Sequence, residues 1–377
     1  MPAYVEIFNR IKPTIEFGLS LLTLKTENVS MLSRYMVYMT IGSMTLNCIS
    51  TSVHIVRSFQ GEISTNFILS TMGLVGIAQP LLKTLVIRPH RRRLYEILNW
   101  AEALHHEEIS DPQLRSITQD CLTKFSEIWI TIYKIGIASY ILTTLGLSGT
   151  NYIRGREGII LAFPFIPDDY AYCTEIVLTV QLIAISFACA GNLYNDLSIM
   201  FVGFEIMAAL DILNDYIEAN KDCIQANANF LKAITIRYWD VISHLKMLNT
   251  TIYMMSLMQF SMSTFMTMTI LLYIRMNPAK MDGYIMVMVI LSQPFCLCFY
   301  GEFFRIKTDR LSTSLYLTNW YDLSLKEQKC YSIVLAMAQR PYGMKAAGLY
   351  QINMRTFIEI MKMAISYCAI LYTFSSN

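Results

Sequence analysis

Four short patterns hold residue types that could do chemistry. His105-His106-Glu107-Glu108 has the composition of a metal site. Adjacent residues diverge on a helix, however, and the His-Glu-x-x-His spacing that puts two imidazoles on one face is absent. Cys296-Leu297-Cys298 offers two thiols, but at that spacing a helix turns them to different faces, so small-residue packing accounts for them better than zinc. Gly146-Leu147-Ser148-Gly149 lacks the Gly-x-Ser-x-Gly of a nucleophile elbow. No phosphate loop or dinucleotide fingerprint occurs; nothing argues for an enzyme, and no cofactor is implied. The fourth pattern differs in kind. At about 100° per residue, Arg355, Glu359, Lys362, Ser366, Ala369 and Thr373 fall within about 40° of one line. Such a stripe suits a water path charged at one mouth. It equally suits an interfacial helix end with Arg355 and Glu359 paired and small residues serving helix packing.

The elements that must carry these residues follow from composition. Of 377 residues, 54% are hydrophobic and only 15% charged, against roughly a quarter charged in soluble domains. A helix needs about 20 apolar residues to cross a bilayer. Runs free of Asp, Glu, Lys and Arg cover 35–56, 65–82, 135–153, 176–195, 247–274 and 283–301. Residues 355–374 form a seventh, weaker run, charged only in its first half. The fold class expected is an all-α membrane protein with seven transmembrane helices and a cytoplasmic helical anchor. Its parts are an N-terminal segment 1–34, six spans with helical extensions over 35–304, an anchor segment 305–348 and a last helix over 349–377.

Basic residues set the direction. Arg10, Lys12 and Lys25 precede the first span; Arg88, Arg91, Arg92, Arg93, Arg115 and Lys124 fill the second loop. The fourth and sixth loops are similarly rich, whereas the alternate loops hold only Arg57, Arg154, Arg156 and Lys280. The N-terminus is therefore expected in the cytoplasm and the C-terminus outside. With a net charge of +2 there is no global field for nucleic acid.

Residues 1–34 lack an uninterrupted apolar stretch, since Glu16 breaks it, so they are expected as a retained helix on the membrane surface. The sequons at Asn28 and Asn249 fall on the cytoplasmic side or membrane edge and are read as chance matches. Residues 205–246 have no Pro or Gly, and Ile206, Leu210, Leu213 and Ile217 have helical spacing, so the fourth span should continue as a helix. Ser324-Leu325-Lys326-Glu327 fits a capping box that starts a helix ending near Gln339, with Cys330, Ile333, Val334 and Met337 as its apolar face. The nine Cys are scattered and do not form a disulfide framework.

The chain resembles the insect odorant receptors. The resemblance spans the whole architecture and is sharpest near the C-terminus, in an ordered set of motifs. These are Phe299-Tyr300-Gly301-Glu302, Leu325-Lys326-Glu327-Gln328-Lys329, Met337-Ala338-Gln339-Arg340-Pro341, Ala347-Gly348, Met354-Arg355-Thr356-Phe357 and Ser366-Tyr367-Cys368-Ala369-Ile370-Leu371. The resemblance implies an odorant-tuned subunit of a ligand-gated, non-selective cation channel, in the plasma membrane of olfactory sensory neurons. Its partners would be a small volatile odorant, permeating cations, the lipid bilayer and a shared co-receptor subunit in a tetramer. The co-receptor of that family has a longer fourth loop than 205–246. The resemblance also implies a hydrophobic gate at Ile370 and Phe374, beside Thr373. The helical wheel puts Ile370 about 60° from the line of Ala369 and Thr373, so a gate there would close the hole from a flanking position.

By the same resemblance the odorant pocket lies in the outer membrane half, where an apolar cavity with a few polar groups is needed. Depth and side-chain type nominate Phe67, Thr71, Met72 and Val75; Tyr140, Thr143, Thr144 and Leu147; Thr179, Ile183 and Phe187; Phe265 and Met268; and Tyr284 and Met288. Ordinary core packing is the competing account of each. No charge lies deep in the outer halves, which favours neutral volatiles, and Met254 to Met288 is Met-rich, which suits an adaptable wall. A gustatory-type chemoreceptor channel is the alternative, but its Thr-Tyr-x-x-x-x-Gln-Phe run is not matched at Ser366-Tyr367. A transporter would show repeat symmetry and broken helices in both halves; only Gln79-Pro80 and Gln293-Pro294 offer kinks.

Overall fold

The computed structural model describes residues 2–27, 29–59, 64–161, 172–222, 228–278, 281–340, 342–346, 348 and 350–375. Its helices in chain order are α1 (Ala3–Thr23), α2 (Met31–Ser58), α3 (Thr65–Ile87), α4 (Arg91–His106), α5 (Pro112–Arg154), α6 (Cys173–Ala219), α7 (Ala228–Met276), α8 (Met281–Tyr316), α9 (Leu325–Ala338) and α10 (Met354–Ser375). A two-stranded antiparallel ribbon, β1 (Lys345–Ala346) and β2 (Tyr350–Gln351), precedes α10, and Gly348 takes left-handed backbone (φ 68°) in its turn.

Length dictates the architecture. α5, α6 and α7 have 43, 47 and 49 residues, so at about 1.5 Å per residue each is roughly 65–74 Å long. The hydrocarbon core is about 30 Å thick. About half of each helix must therefore project, and the projecting halves gather at one end with α1, α4 and α9. We call this the extended end.

Among the described residues, five stretches are long and apolar enough to cross a membrane: Thr65–His106, Pro112–Arg154, Cys173–Ala219, Phe230–Met276 and Gly283–Tyr316. The expected span in α2 is less apolar than these. α2 is rich in hydroxyls, yet Thr40, Thr45 and Ser52 donate to the carbonyls of Met36, Ile41 and Cys48 in their own helix, which satisfies them without water. α10 carries Arg355, Glu359 and Lys362.

α6 is the central post, packed against α1, α2, α3, α5, α7 and α8. From Asn195 to Ile217 nearly every side chain is buried. Its continuation past Glu205 matches the sequence expectation as far as Ala219; Asn220 then caps it, and the chain turns back into α7. Burial is completed by ion pairs that set register: Lys307–Asp211 at 2.5 Å, Arg310–Asp215 and Arg310–Glu218 at 3.0 Å, and Arg237–Glu107 at 2.7 Å. The more exposed of these pairs, such as those of Arg310, contribute little each. Asp111 caps α5 and accepts from the Tyr216 hydroxyl at 2.8 Å. That bond holds its carboxyl below the usual carboxylate range.

Two expectations are corrected. Residues 3–23 form a helix, but its apolar face (Val5, Phe8, Ile15, Leu19, Leu22) is buried mainly against α6 rather than laid on lipid. Phe8 stacks on His105 at 4.2 Å, and Gly18 lets the backbone approach Ser198. The capping box at Ser324 and Glu327 is present and α9 ends before Gln339, but its buried face is Tyr331, Val334, Leu335 and Ala338, with Ile333 and Cys330 exposed. Tyr331 decided the rotation: its hydroxyl donates to the Leu315 carbonyl at 2.9 Å.

The reactive-looking patterns separate as packing parts. His105 meets Glu205 at 2.9 Å, Glu107 meets Arg237, and His106 turns back to the Glu102 carbonyl. Cys296 is exposed and Cys298 buried. Asn249 accepts from the Lys345 N–H at 2.9 Å; Asn28 lies outside the described residues.

Gly203 on α6 faces the ring of Tyr300 on α8, whose hydroxyl would overlap any added Cβ. Gly203→Ala should cost about 1–3 kcal/mol of stability, read as a lower melting temperature in detergent. Adding Tyr300→Phe should recover part of the loss.

Candidate functional site

Two regions collect the residues singled out by sequence. The first lies at the end opposite the extended one, between α3, α6, α7 and α8. Ile68, Leu69 and Met72 of α3, Ala184 of α6, Ile270 and Tyr273 of α7, and Met286 and Ile290 of α8 form a buried apolar cluster separate from the main core. Ile160 and Leu161, from the segment after α5, tuck into it. Gln181, 1% exposed, pins that segment: it accepts from the Ile160 N–H at 2.9 Å and donates to the Gly158 carbonyl at 2.8 Å. Arg154 donates to the Tyr273 hydroxyl beside it.

The sequence nominees divide around this cluster. Met72 belongs to it, and Leu147 packs against it. Thr144 is buried, while Phe67, Thr71, Val75, Tyr140, Thr143, Phe187 and Met268 are half-buried. Thr179, Ile183, Phe265, Tyr284 and Met288 are exposed, turned out of the bundle. In runs uniformly apolar on every face the rotation of a helix is not written in the sequence, which is why depth alone mixed inward and outward residues. Gln181 and the pair Ile160-Leu161 were missed because they lie outside the charge-free runs or read as ordinary span residues.

A polar layer closes the cluster toward the extended end. Gln79 of α3 donates to Gln259 of α7 at 2.7 Å and to Gln293 of α8 at 2.8 Å; Gln259 in turn donates to Gln293 at 3.0 Å. Just beyond, Lys83, fully buried, meets Asp196 of α6 at 2.6 Å. Three amides that satisfy one another can sit at this depth where single ones could not. Their sequence signal was the repeated Gln-Pro at 79–80 and 293–294, read there only as kinks.

The second region is α10, which packs mainly on α7 and α8. Thr356 and Ala364 are its buried positions, and Phe357 meets Phe295 edge-on at 5.5 Å. Arg355, Glu359, Lys362, Ser366 and Ala369 all face away from the bundle. Arg355 and Glu359 pair at 3.1 Å, but Arg355 is 87% exposed, and Lys362 has no carboxylate partner among the described residues. Ile370 is half-exposed. The helix continues through Thr373 and Phe374; their side chains lie outside the described residues. At the base, Gly301 of α8 approaches the Ile352 carbonyl so closely that a Cβ would overlap it.

A small cleft with about 20 Å³ of free space also lies at the extended end, lined by Trp100, Leu104, Leu213, Arg237 and Asp240 among others. Its walls are tied by Trp100 donating to Asp240 at 2.7 Å and by Arg237 meeting Glu107.

Gln259→Leu should lower the melting temperature, and a double-mutant cycle with Gln293→Leu should give a coupling of about 1 kcal/mol, the scale of buried interhelical hydrogen bonds. Additive losses would mean the amides act separately.

Over its whole length the fold is that of a solved seven-helix membrane receptor. It aligns with the insect olfactory receptor OR5 from Machilis hrabei with a TM-score of 0.78 at 14% identity, covering 98% of each chain. The same receptor in complex with eugenol aligns with a TM-score of 0.77 at 13% identity, covering 98% of this chain and 99% of that one. Curated relatives include Odorant receptor 33a of Drosophila melanogaster, 23% identical over 134 residues (34% of this chain, 35% of that protein). Odorant receptor 85c of the same organism is 24% identical over 205 residues, or 52% of each. The chain thus spans about a third of the first and about half of the second. The family profile described as 7tm Odorant receptor matches residues 63–365, and the chain belongs to that family.

Proposed function

We propose that this receptor is the odorant-tuned subunit of a ligand-gated, non-selective cation channel in the plasma membrane of olfactory sensory neurons, assembled as a tetramer with a shared co-receptor. In this reading the extended end is cytoplasmic and acts as the anchor where subunits meet, with residues 305–348 contributing. The C-terminus is outside. α10 lines the pore: Arg355, Glu359 and Lys362 form the inner vestibule, Ser366, Ala369 and Thr373 face the water path, and Ile370, with Phe374, narrows it so that it gates by dewetting.

The observation that carries the reading is the position of the polar stripe of α10. A membrane helix that turns Arg355, Glu359, Lys362 and Ser366 away from its own bundle exposes them to hydrocarbon as a monomer, at a cost of several kcal/mol. Water or a neighbouring subunit must cover them. Copies of α10 around an axis supply both.

The ligand is a small neutral volatile, seated in the apolar cluster between α3, α6, α7 and α8 with contributions from α5. The Machilis hrabei receptor was solved in complex with eugenol, which supports a ligand of this size. Met72, Met266 and Met286, around that cluster, can rearrange to admit it. Among the sequence nominees Met72, Leu147 and Thr144 are preferred contacts. Binding opens the pore only by favouring the open arrangement over the closed one, and α7 and α8, which wall the cluster and carry α10, are the route.

Recording from cells that express the chain with and without the co-receptor, against a panel of volatiles, should give ligand-evoked cation current with it. Ile370→Ala should raise basal current or change evoked current; unaltered current and ion preference would reject the gate. Gln181→Leu should release the Ile160-Leu161 segment and speed current decay on ligand wash-out, with surface expression unchanged.

A further inference from the structure

At the junction of α3 and α4 the chain reads Arg88-Pro89-His90-Arg91-Arg92-Arg93. Arg88, Arg91 and Arg92 are exposed. Elsewhere in the extended half several basic side chains meet a carboxylate: Lys12 with Glu102, Arg237 with Glu107, Lys307 with Asp211, Arg310 with Asp215 and Glu218, Arg305 with Glu302. These arginines meet none among the described residues, and the Arg93 Nη1 is buried without a hydrogen-bond partner. Like charges three and four residues apart, as in Arg88 with Arg91 and Arg92, repel. The first turn of α4 has no acidic residue to offset them.

The surroundings add charge and define depth. Lys25 lies over the ring of Tyr95, one turn on from Arg91, at 5.0 Å. The exposed Arg34 donates to the Thr26 carbonyl at 3.2 Å. The acids at this corner are Glu27, 3.8 Å from Lys25, and Glu96, one turn further along α4. Leu85, three residues before Arg88 on the last turn of α3, is 61% exposed, and Met31, Leu32 and Tyr35 at the start of α2 are also turned outward. Bare apolar side chains thus end directly at an uncompensated basic cluster. Acyl chains can cover the first, and headgroup phosphates the second.

We propose that Arg88, Arg91, Arg92 and Arg93, with Lys25 and Arg34, bind the phosphate-bearing headgroups of anionic lipids at the membrane edge. Guanidinium groups favour this ligand because each offers a fork of donors to phosphate oxygens. The assignment to the inner leaflet rests on the cytoplasmic reading of the extended end.

The test uses the full chain purified in detergent, with melting temperature as the readout. Short-chain (dioctanoyl) phosphatidylinositol 4,5-bisphosphate should raise it, and dioctanoyl phosphatidylcholine should not. Each basic residue contributes roughly fivefold at an anionic surface, so the variant R88Q/R91Q/R92Q should need at least about tenfold more phosphoinositide for the same shift. The control variant K326Q/K329Q, which removes two positive charges at exposed α9 positions, should behave as wild type. A wild-type response from R88Q/R91Q/R92Q, a lost response in K326Q/K329Q, or an equal shift from free inositol trisphosphate would each overturn the proposal. Because the assay needs neither ion current nor orientation, a silent channel leaves it standing. An amino-terminal tag reached from outside intact cells would reject only the leaflet.

Discussion

Helices about twice as long as the bilayer is thick are the constraint from which the rest follows. The same rod must satisfy two solvents. Facing lipid, an apolar side chain gains little by turning inward; facing water, it must be covered. α5 shows both regimes: Leu142 and Leu145 are 75% and 63% exposed in one half, while Leu114, Leu122 and Trp129 are buried in the other. α1, α4 and α9 exist at the extended end because the projecting halves need a sheath there, and α1 packs on α6 for the same reason.

The polar layer of Gln79, Gln259 and Gln293, backed by the Lys83–Asp196 pair, divides the interior in two. On one side is a small apolar cluster closed by the Gln181-held segment; on the other is the main core around α6. α7 and α8 cross the boundary, and α10 rests mainly on them. On the proposed reading, a change in the small cluster would reach α10 through these two helices, which Gln259 and Gln293 tie together. Hydrogen-bonded amides exchange between discrete partners, so they fit a two-arrangement device better than close packing does.

Much of this was legible in the sequence because charge is excluded from lipid: the charge-free runs located the spans, and the Ser324–Glu327 box and the run after Glu205 announced their helices. The C-terminal motifs pointed to the right family. Helix rotation was not legible. In apolar spans every face looks alike, so Met72 and Met288 were nominated together although one is buried and the other 74% exposed. The expected face of α9, Cys330, Ile333, Val334 and Met337, left out Tyr331, whose ring is buried and whose hydroxyl donates to the Leu315 carbonyl. The glutamine layer was hidden for another reason: its partners lie 180 and 214 residues apart, and no local periodicity records such a meeting.

The separation of the two apolar clusters also bears on how such a receptor can change over evolutionary time. Effects of distant, non-touching substitutions add nearly independently. Replacements around Met72, Ile270 or Met286 can therefore accumulate without disturbing the packing of Val202, Ile206 or Leu213. On the proposed reading, what the receptor senses can diversify while the packing that lets it fold stays intact.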